Sequence, residues 1–399
     1  MRFEPGAPAG GGEIALCEPL LDGNEERYLV ECLRSGWISS AIDPQGQCFL
    51  SRFERGMAVY LGSGQAVAAV NGTSALHVAL LLAGVEPGDE VLVPDLTFVA
   101  PANAVRYAGA WPVFIDVEPD HWQLDPEKTA NFLARECVSA RDGLYNRHTG
   151  RRVRALLPVD LLGHPVDMDA LLAIANRHDL VVVEDATESL GARYKGRPVG
   201  RLAGLSCLSF NGNKLLTTGG GGMLICDDPA QAQRARYYVT QARDDTLEYR
   251  HDQVGYNYRL PNLLAAVGCA QLERIDQFVA AKRRIAQRYL EGLEGLPGVC
   301  FMRQAPWAES AWWLFTILLD PVQARLGRHA LLDRLRQAGI MSRPLWNPLH
   351  RNPSHKGAYS YRCDVSVRLQ ERGLSLPSSV GLAQADQERV IAALHSTLG

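Results

Sequence analysis

Short, near-continuous apolar runs recur through the first two thirds of this chain, separated by segments of helical spacing. Residues 90–93, 112–117, 155–159, 180–184, 205–210 and 223–226 read as strands, and 75–83, 100–108 and 168–177 as helices. The segment Glu86-Pro87-Gly88-Asp89 reads as a turn. Strands that are apolar on both faces belong in a sheet covered on both sides, and such sheets are mostly parallel. The pattern therefore predicts an α/β lobe.

Amphipathic spacing also predicts helices over 25–33, stopped at Ser35-Gly36, and over 48–60, ending at Gly62. After about residue 255 the texture changes. Leu264, Val267, Leu272, Ile275 and Phe278 fit one long helix over 261–293. A strand over 313–319 and helices over 329–338 and 384–398 follow. This predicts a large α/β domain over 13–258 and a smaller C-terminal α+β domain over 259–399, with the change of domain in the long helix. The Gly/Pro/Ala-rich residues 1–12 read as a loose arm.

Composition narrows the function. With 41 Lys+Arg against 44 Asp+Glu the net charge is −3, so no basic excess exists to bind nucleic acid through bulk charge. The longest uncharged stretch, 56–85, is interrupted by Gly62-Ser63-Gly64-Gln65 and Asn71-Gly72-Thr73-Ser74, so no membrane span is expected. No apolar core follows the early arginine, and the nine cysteines include no CxxC. A soluble, cytoplasmic protein without a disulfide framework is expected. The ten histidines show no metal-ligand spacing; His350 and His355 lack a completing Cys or carboxylate, so no metal site is expected.

The segment 205–222 is the densest in chemical information. A strand runs into a turn that presents Lys214, and four glycines, 219–222, follow. Consecutive glycines suit a chain that needs positive φ or close approach to its backbone. The order is not that of a nucleotide P-loop, because Leu215 follows the lysine and Asn213 precedes it. Taken alone, the segment could be a surface hairpin with a solvated lysine. Two further features converge with it. Asp185 ends the apolar strand 180–184, at the edge where α/β sheets bind ligands. Asn71-Gly72-Thr73-Ser74 immediately precedes the helical run from Ala75, where small hydroxyls and free N–H groups can hold a phosphate. Each has a plainer reading: the acid as a helix cap, and Thr73 or Ser74 as an N-cap. Together they are what pyridoxal phosphate (PLP) requires: a lysine for its aldehyde, a carboxylate for its ring nitrogen and a helix N-terminus for its phosphate.

The motifs NGTSALHVAL (71–80), PDLTFVAPANAV (94–105), VVVEDATESLGARYKG (181–196), SFNGNK (209–214), TTGGGGML (217–224), GYNYRLPNLLAAVGCAQLE (255–273) and RPLWNPLH (343–350) resemble the DegT/DnrJ/EryC1/StrS family of PLP-dependent sugar aminotransferases. The resemblance runs from about Ile14 to the C-terminus and implies the aspartate-aminotransferase fold, fold type I. SFNGNK, QARDD (241–245) and GYNYRLPN are most similar to the branch that aminates UDP-linked 4-keto-6-deoxy-N-acetylhexosamines. It implies Lys214 as the cofactor-carrying lysine and Asp185 as the partner of the ring nitrogen. It further implies Glu188 near the ring hydroxyl, Phe98 stacked on the ring, and Gly72, Thr73, Ser74 and Ser209 at the phosphate. Asn257 is implied to reach the neighbour's phosphate across a homodimer interface. Two departures stand out: Asn211-Gly212-Asn213 where many relatives have His-Pro-Thr, and an acid at 188 where many have Gln.

The reaction so implied is transfer of an amino group, with L-glutamate as donor, to a keto sugar nucleotide. Trp37, Asn211, Arg259 and His350 are candidate substrate contacts; for Trp37 core packing is a plainer alternative, and for Arg259 and His350 a surface ion pair or a capped loop. Retention of Lys214 favours transamination over the family's dehydratase branch, in which His replaces it. The alternatives are a 3-aminotransferase, a lyase or regulatory homologue on the same fold, and a sugar-nucleotide-binding protein without a cofactor. Nucleotide identity and the carbon aminated are not fixed by spacing.

Overall fold

The computed structural model describes residues 12–39, 46–62, 64–245 and 247–399; the arm expected over residues 1–12 lies, but for Gly12, outside them. The strand Leu205–Ser209 pairs parallel with Glu184–Asp185 on one side. On the other it pairs antiparallel with Gly222–Cys226, which pairs antiparallel with Gln65–Ala69. A second ladder joins Tyr359–Tyr361, Trp111–Ile115, Glu90–Pro94, Arg152–Leu156 and Val181–Val182, all in parallel. Asp185 links the two ladders. Its N–H donates to the Pro158 carbonyl at 2.9 Å, and its carbonyl accepts from the Asp160 N–H at 3.1 Å. The sheet is therefore parallel from Tyr359–Tyr361 to Leu205–Ser209 and antiparallel only at the Gln65–Ala69 margin, while the hairpin Cys137–Ala140/Gly143–Asn146 attaches antiparallel to Arg152–Leu156.

Alternation along the strands explains the two covering layers. Ala66, Ala68, Leu92, Val113 and Ile115 face one apolar cluster with Phe53, Met57, Phe132 and Leu171. Val67, Ala69, Val91, Val93 and Phe114 face the other, with Val78, Leu80, Val105 and Val239. The helices Phe49–Leu61, Pro126–Arg135 and Met168–Arg177 supply the first layer, and Gly72–Leu82, Ala100–Tyr107 and Pro229–Val239 the second. A third cluster gathers Tyr289, Phe315, Ile317, Leu331, Leu374 and Leu394 from the C-terminal part. There the sheet Val299–Phe301, Thr316–Leu319, Gly373–Ser375, Arg343–Pro344 is antiparallel. No helix among the described residues is long and apolar enough to cross a membrane.

The expected long helix over 261–293 is two helices, Asn262–Leu272 and Ile275–Gly292. The break has a local cause. Glu273 accepts from Asn24 Nδ2 at 2.6 Å and from the Tyr28 hydroxyl, while Arg274 pairs with Asp22. The two residues that would continue the first helix are thus drawn to the N-terminal segment. Apolar periodicity passes through the break because residues on both sides of it, Cys269 and Ala270 before and Ile275 and Phe278 after, join the first cluster; the second helix then runs on into the third through Ile285 and Tyr289.

Gly191 shows how tightly this helix sits against the turn that follows Glu184–Asp185. Its φ is +85°, and a Cβ there would lie 2.3 Å from Val279 Cγ2. Gly191→Ala is therefore expected to destabilise by about 2–4 kcal/mol, from overpacking plus backbone strain. Adding Val279→Ala should recover the steric part only. Urea denaturation of the three variants checks this, and an unchanged midpoint for Gly191→Ala would contradict it.

Candidate active site

The site forms where strand ends converge. Ala69 and Gly222 are register partners, Gly222 pairs with Ser209, and Asp185 lies on the next strand, beside Cys207. The helix Gly72–Leu82 starts at this edge. Its cap is Asn71, whose Oδ1 accepts from the Ser74 N–H at 2.7 Å, and not Thr73 or Ser74. Ser74 is buried with its N–H spent in the cap, while Gly72 and Thr73 line a cavity of about 380 Å³. The N–H groups of Gly72 and Thr73 are left outside the cap, an arrangement suited to an anion.

The glycine run serves space more than conformation. Among 219–222 only Gly219 has positive φ, +82°. A Cβ on Gly222 would lie 2.4 Å from the Asn71 carbonyl carbon, and one on Gly72 would lie 2.9 Å from Ser209 Cβ. Two backbones therefore touch where the helix begins. Gly222→Ala is expected to part the strand from the helix N-terminus and weaken phosphate binding there. Equilibrium dialysis of inorganic phosphate or PLP checks this; unchanged PLP affinity would contradict it.

Phe98, Asp185, Glu188, Ser209, Asn211 and Lys214 line the same cavity. Lys214 Nζ lies 3.5 Å from Glu188 Oε1 and 3.9 Å from the centroid of the Trp313 ring. Asp185 and Glu188 are both buried. Asp185 Oδ1 accepts from the Thr187 N–H at 3.1 Å, and Glu188 Oε2 from the Leu162 N–H at 2.8 Å. Burial raises the pKa of each, against the opposing pull of their hydrogen bonds and of the Lys214 charge. The Glu188 contact depends on an unusual corner: Leu162 has φ +57° and Trp312 +51°. A Cβ on Gly163 between them would meet Trp313 N at 2.7 Å.

Other candidates lie elsewhere. Asn257 is exposed and bridges to Thr240. Arg259 pairs with Glu54 at 3.5 Å. Trp37, half-exposed, lies beside Phe49 and Asn262 in a separate cleft. His350 Nδ1 is 2.7 Å from Asp95 Oδ2, and the His350 backbone N–H donates to Asp95 Oδ1 at 2.9 Å. None of these four lines the cavity. Asp95, His350 and Cys363 do bring three potential metal-ligand atoms within 4.8 Å of one another, which the spacing of histidines did not reveal. The Asp95 carboxylate there is already engaged by His350 and by Ser366 Oγ at 2.6 Å.

The sequence reading missed the cavity's far wall: Leu16, Trp313, Arg343 and Trp346. Trp313 and Trp346 stack at 6.2 Å between centroids and 11° between planes. RPLWNPLH carried a usable signal, since an Arg and a Trp flank Pro-Leu there. Trp313 sits in a run read as a strand and gave none.

The residues present fit PLP: an amine, a buried carboxylate, an aromatic face and a helix N-terminus meet in one cavity, in the strand-edge crevice of an α/β sheet. This is the site of a fold type I PLP enzyme. The comparisons with known proteins agree. The profile of the DegT/DnrJ/EryC1/StrS aminotransferase family matches residues 19–395. A GDP-perosamine synthase of Caulobacter vibrioides is 38% identical over 386 residues, covering 96% of this chain and 98% of that protein. A GDP-perosamine synthase of Escherichia coli O157:H7 is 35% identical, covering 93% and 94%. The crystal structure of S. venezuelae DesV in complex with a ketimine intermediate superposes with a TM-score of 0.82 at 33% identity, covering 94% of each chain. The chain belongs to the DegT/DnrJ/EryC1/StrS aminotransferase family; it is a PLP-dependent sugar aminotransferase.

Raised by burial, the Asp185 pKa implies a cost in the cofactor-free fold when the carboxyl ionises. That cost is absent below the ordinary aspartate pKa and complete above the raised one. Cofactor-free Asp185→Asn should therefore melt higher than the parent at pH 8, with the difference shrinking as pH falls. Calorimetry across pH checks this, and a gap that widens on acidification would contradict it.

Proposed function

We propose that the enzyme moves an amino group from L-glutamate to the C4 keto group of a 6-deoxyhexose nucleotide. The observation that carries the reading is Lys214 in a cavity wall with its amine against the Trp313 ring, in the cavity that Asp185 and the Gly72–Thr73 helix start also line. PLP, when bound, supplies the electron sink that stabilises negative charge at the carbon bearing the amino group. The chain's own residues do the rest. Asp185 holds a proton on the ring nitrogen, and Gly72, Thr73 and Ser209 hold the phosphate. Phe98 covers the ring. Lys214 Nζ carries protons to and from the reacting carbon, and Glu188 Oε1 holds that amine near 3.5 Å.

Arg343 supports an anionic substrate. It lines the cavity, and among the described residues its guanidinium has no ion-pair partner. A guanidinium suits a carboxylate or a phosphate equally. Arg343→Gln is expected to raise KM for one of the two substrates about tenfold, the loss of roughly one charge-assisted contact. Steady-state kinetics with each substrate varied identifies which; unchanged KM for both would contradict the assignment.

The nucleotide has two readings. The names of the relatives, GDP-perosamine synthases, support a GDP-linked sugar. SFNGNK and QARDD support the UDP-linked 4-keto-6-deoxy-N-acetylhexosamine expected from the sequence. We favour the GDP-linked substrate, because those relatives match along nearly their whole length. Two further proposals complete the picture. The chain works as two parts, 13–258 and 259–399, facing each other across the cavity. Two copies pair so that exposed Asn257 reaches the neighbour's phosphate, in the cytoplasm where nucleotide sugars are made.

The test is spectroscopic, then chromatographic. PLP-loaded protein should be yellow and bleach with L-glutamate; GDP-, UDP- and dTDP-linked 4-keto-6-deoxy sugars are then supplied in turn. Recovery of colour with the GDP sugar, and a product gaining an amino group, is expected. Recovery only with the UDP sugar would overturn the nucleotide assignment. Recovery with none would overturn the proposed function. Lys214→Ala should show neither colour change.

A further inference from the structure

Lys282 is an anomaly of this fold. It lies in the helix Ile275–Gly292 and is 1% exposed, and its burial lowers its pKa. A buried ammonium is ordinarily paired with a carboxylate. Lys282 instead directs its three N–H donors at the Trp313 carbonyl at 2.8 Å, the Ser378 carbonyl, and Cys17 Sγ at 3.4 Å. The number of donors equals the number of acceptors. Each acceptor belongs to a different stretch of chain, and each stretch lines the cavity: Trp313 and Leu314 themselves, Ser375 near Ser378, and Leu16 next to Cys17.

Two of these stretches go on to grip one atom. The Trp313 indole Nε1 donates to the Asn213 carbonyl at 2.7 Å, and Cys17 Sγ donates to the same carbonyl at 3.1 Å. Asn213 immediately precedes Lys214, and the Trp313 ring lies 3.9 Å from Lys214 Nζ. The connection from Lys282 to Lys214 thus runs through hydrogen bonds to Trp313 and Cys17, from both of these to the Asn213 carbonyl, and through the Asn213–Lys214 peptide bond. Both the backbone and the ammonium of Lys214 rest on groups that Lys282 holds.

We propose that Lys282 is a positioning residue for Lys214, acting through Trp313 and Cys17 to fix where the reactive amine stands in the cavity. It touches neither substrate nor cofactor. An apolar side chain of the same length would fill the volume but release three acceptors, and the Trp313 backbone would be free to shift. A misplacement of about an ångström at a reacting group can slow a reaction about a hundredfold.

The inference rests on Lys214 being the reactive amine, and the test separates the two. Lys282→Met, Trp313→Phe, the double variant and Tyr289→Phe are prepared without cofactor. Tyr289 is the control: it is buried on the same helix and donates to the Pro377 carbonyl at 2.9 Å, next to Ser378. PLP is added at saturation, samples are treated with borohydride at intervals, and modification at Lys214 is followed by peptide mass. Failure of the parent protein to be modified at Lys214 would sink the proposed function itself. With the parent modified, Lys282→Met and Trp313→Phe should each slow modification about tenfold. The double variant should be hardly slower than either, because both changes break one chain of contacts. Tyr289→Phe should leave the rate within about twofold while lowering the melting temperature. Multiplicative slowing in the double variant, about a hundredfold, would overturn the proposal; so would equal slowing by Tyr289→Phe. Should Lys282→Met not fold, Lys282→Gln, shorter but still a donor, replaces it with the same criterion of non-multiplicativity.

Discussion

The ammonium of Lys214 shares its buried surroundings with the carboxylates of Asp185 and Glu188, and this uneven balance of charge governs how the rest of the cavity is built. Each acid needs compensation, because burial disfavours its ionised form. Backbone N–H groups supply part of it, from Thr187 to Asp185 and from Leu162 to Glu188. The second of these requires the left-handed backbone at Leu162 and the close passage of Gly163 under Trp313. Strain in that corner thus serves the charge balance of the site, as is common where a fold must deliver a polar group to a set place.

Geometry at the sheet edge follows from the same need. Antiparallel entry of Gly222–Cys226 between Gln65–Ala69 and Leu205–Ser209 brings a glycine backbone against the start of a helix. The helix terminus then lies beside Ser209 and within one cavity of the lysine. Net charge of −3 over the whole chain is compatible with such a site, since the cavity offers an anion the N–H groups of a helix start and one guanidinium. The C-terminal part completes the enclosure by placing Trp313, Arg343 and Trp346 opposite.

Much of this was legible in the sequence, for identifiable reasons. Both-face apolar strands announced the covered sheet, and the order of lysine and glycines after Leu205–Ser209 marked the site. Asn71 as the cap was within reach, since Asn is a preferred N-cap, but the neighbouring hydroxyls drew attention instead. The break at Glu273-Arg274 was not legible, because it arises from bonds to Asp22, Asn24 and Tyr28, some 250 positions away in the chain. The same holds for Trp313 and Lys282, whose importance lies in contacts that no local pattern encodes. His350 illustrates the converse: its motif suggested a pocket, while its ring is committed to Asp95.

Nitrogen tracing follows the amino group itself. Cofactor-loaded enzyme is incubated with glutamate labelled with heavy nitrogen and a GDP-linked 4-keto-6-deoxyhexose, and the sugar nucleotide is weighed by mass spectrometry. The label should appear as a single amino nitrogen on the sugar, and Lys214→Ala should abolish its appearance. Consumption of glutamate with no label in any of the GDP-, UDP- or dTDP-linked keto sugars would contradict the proposed transfer.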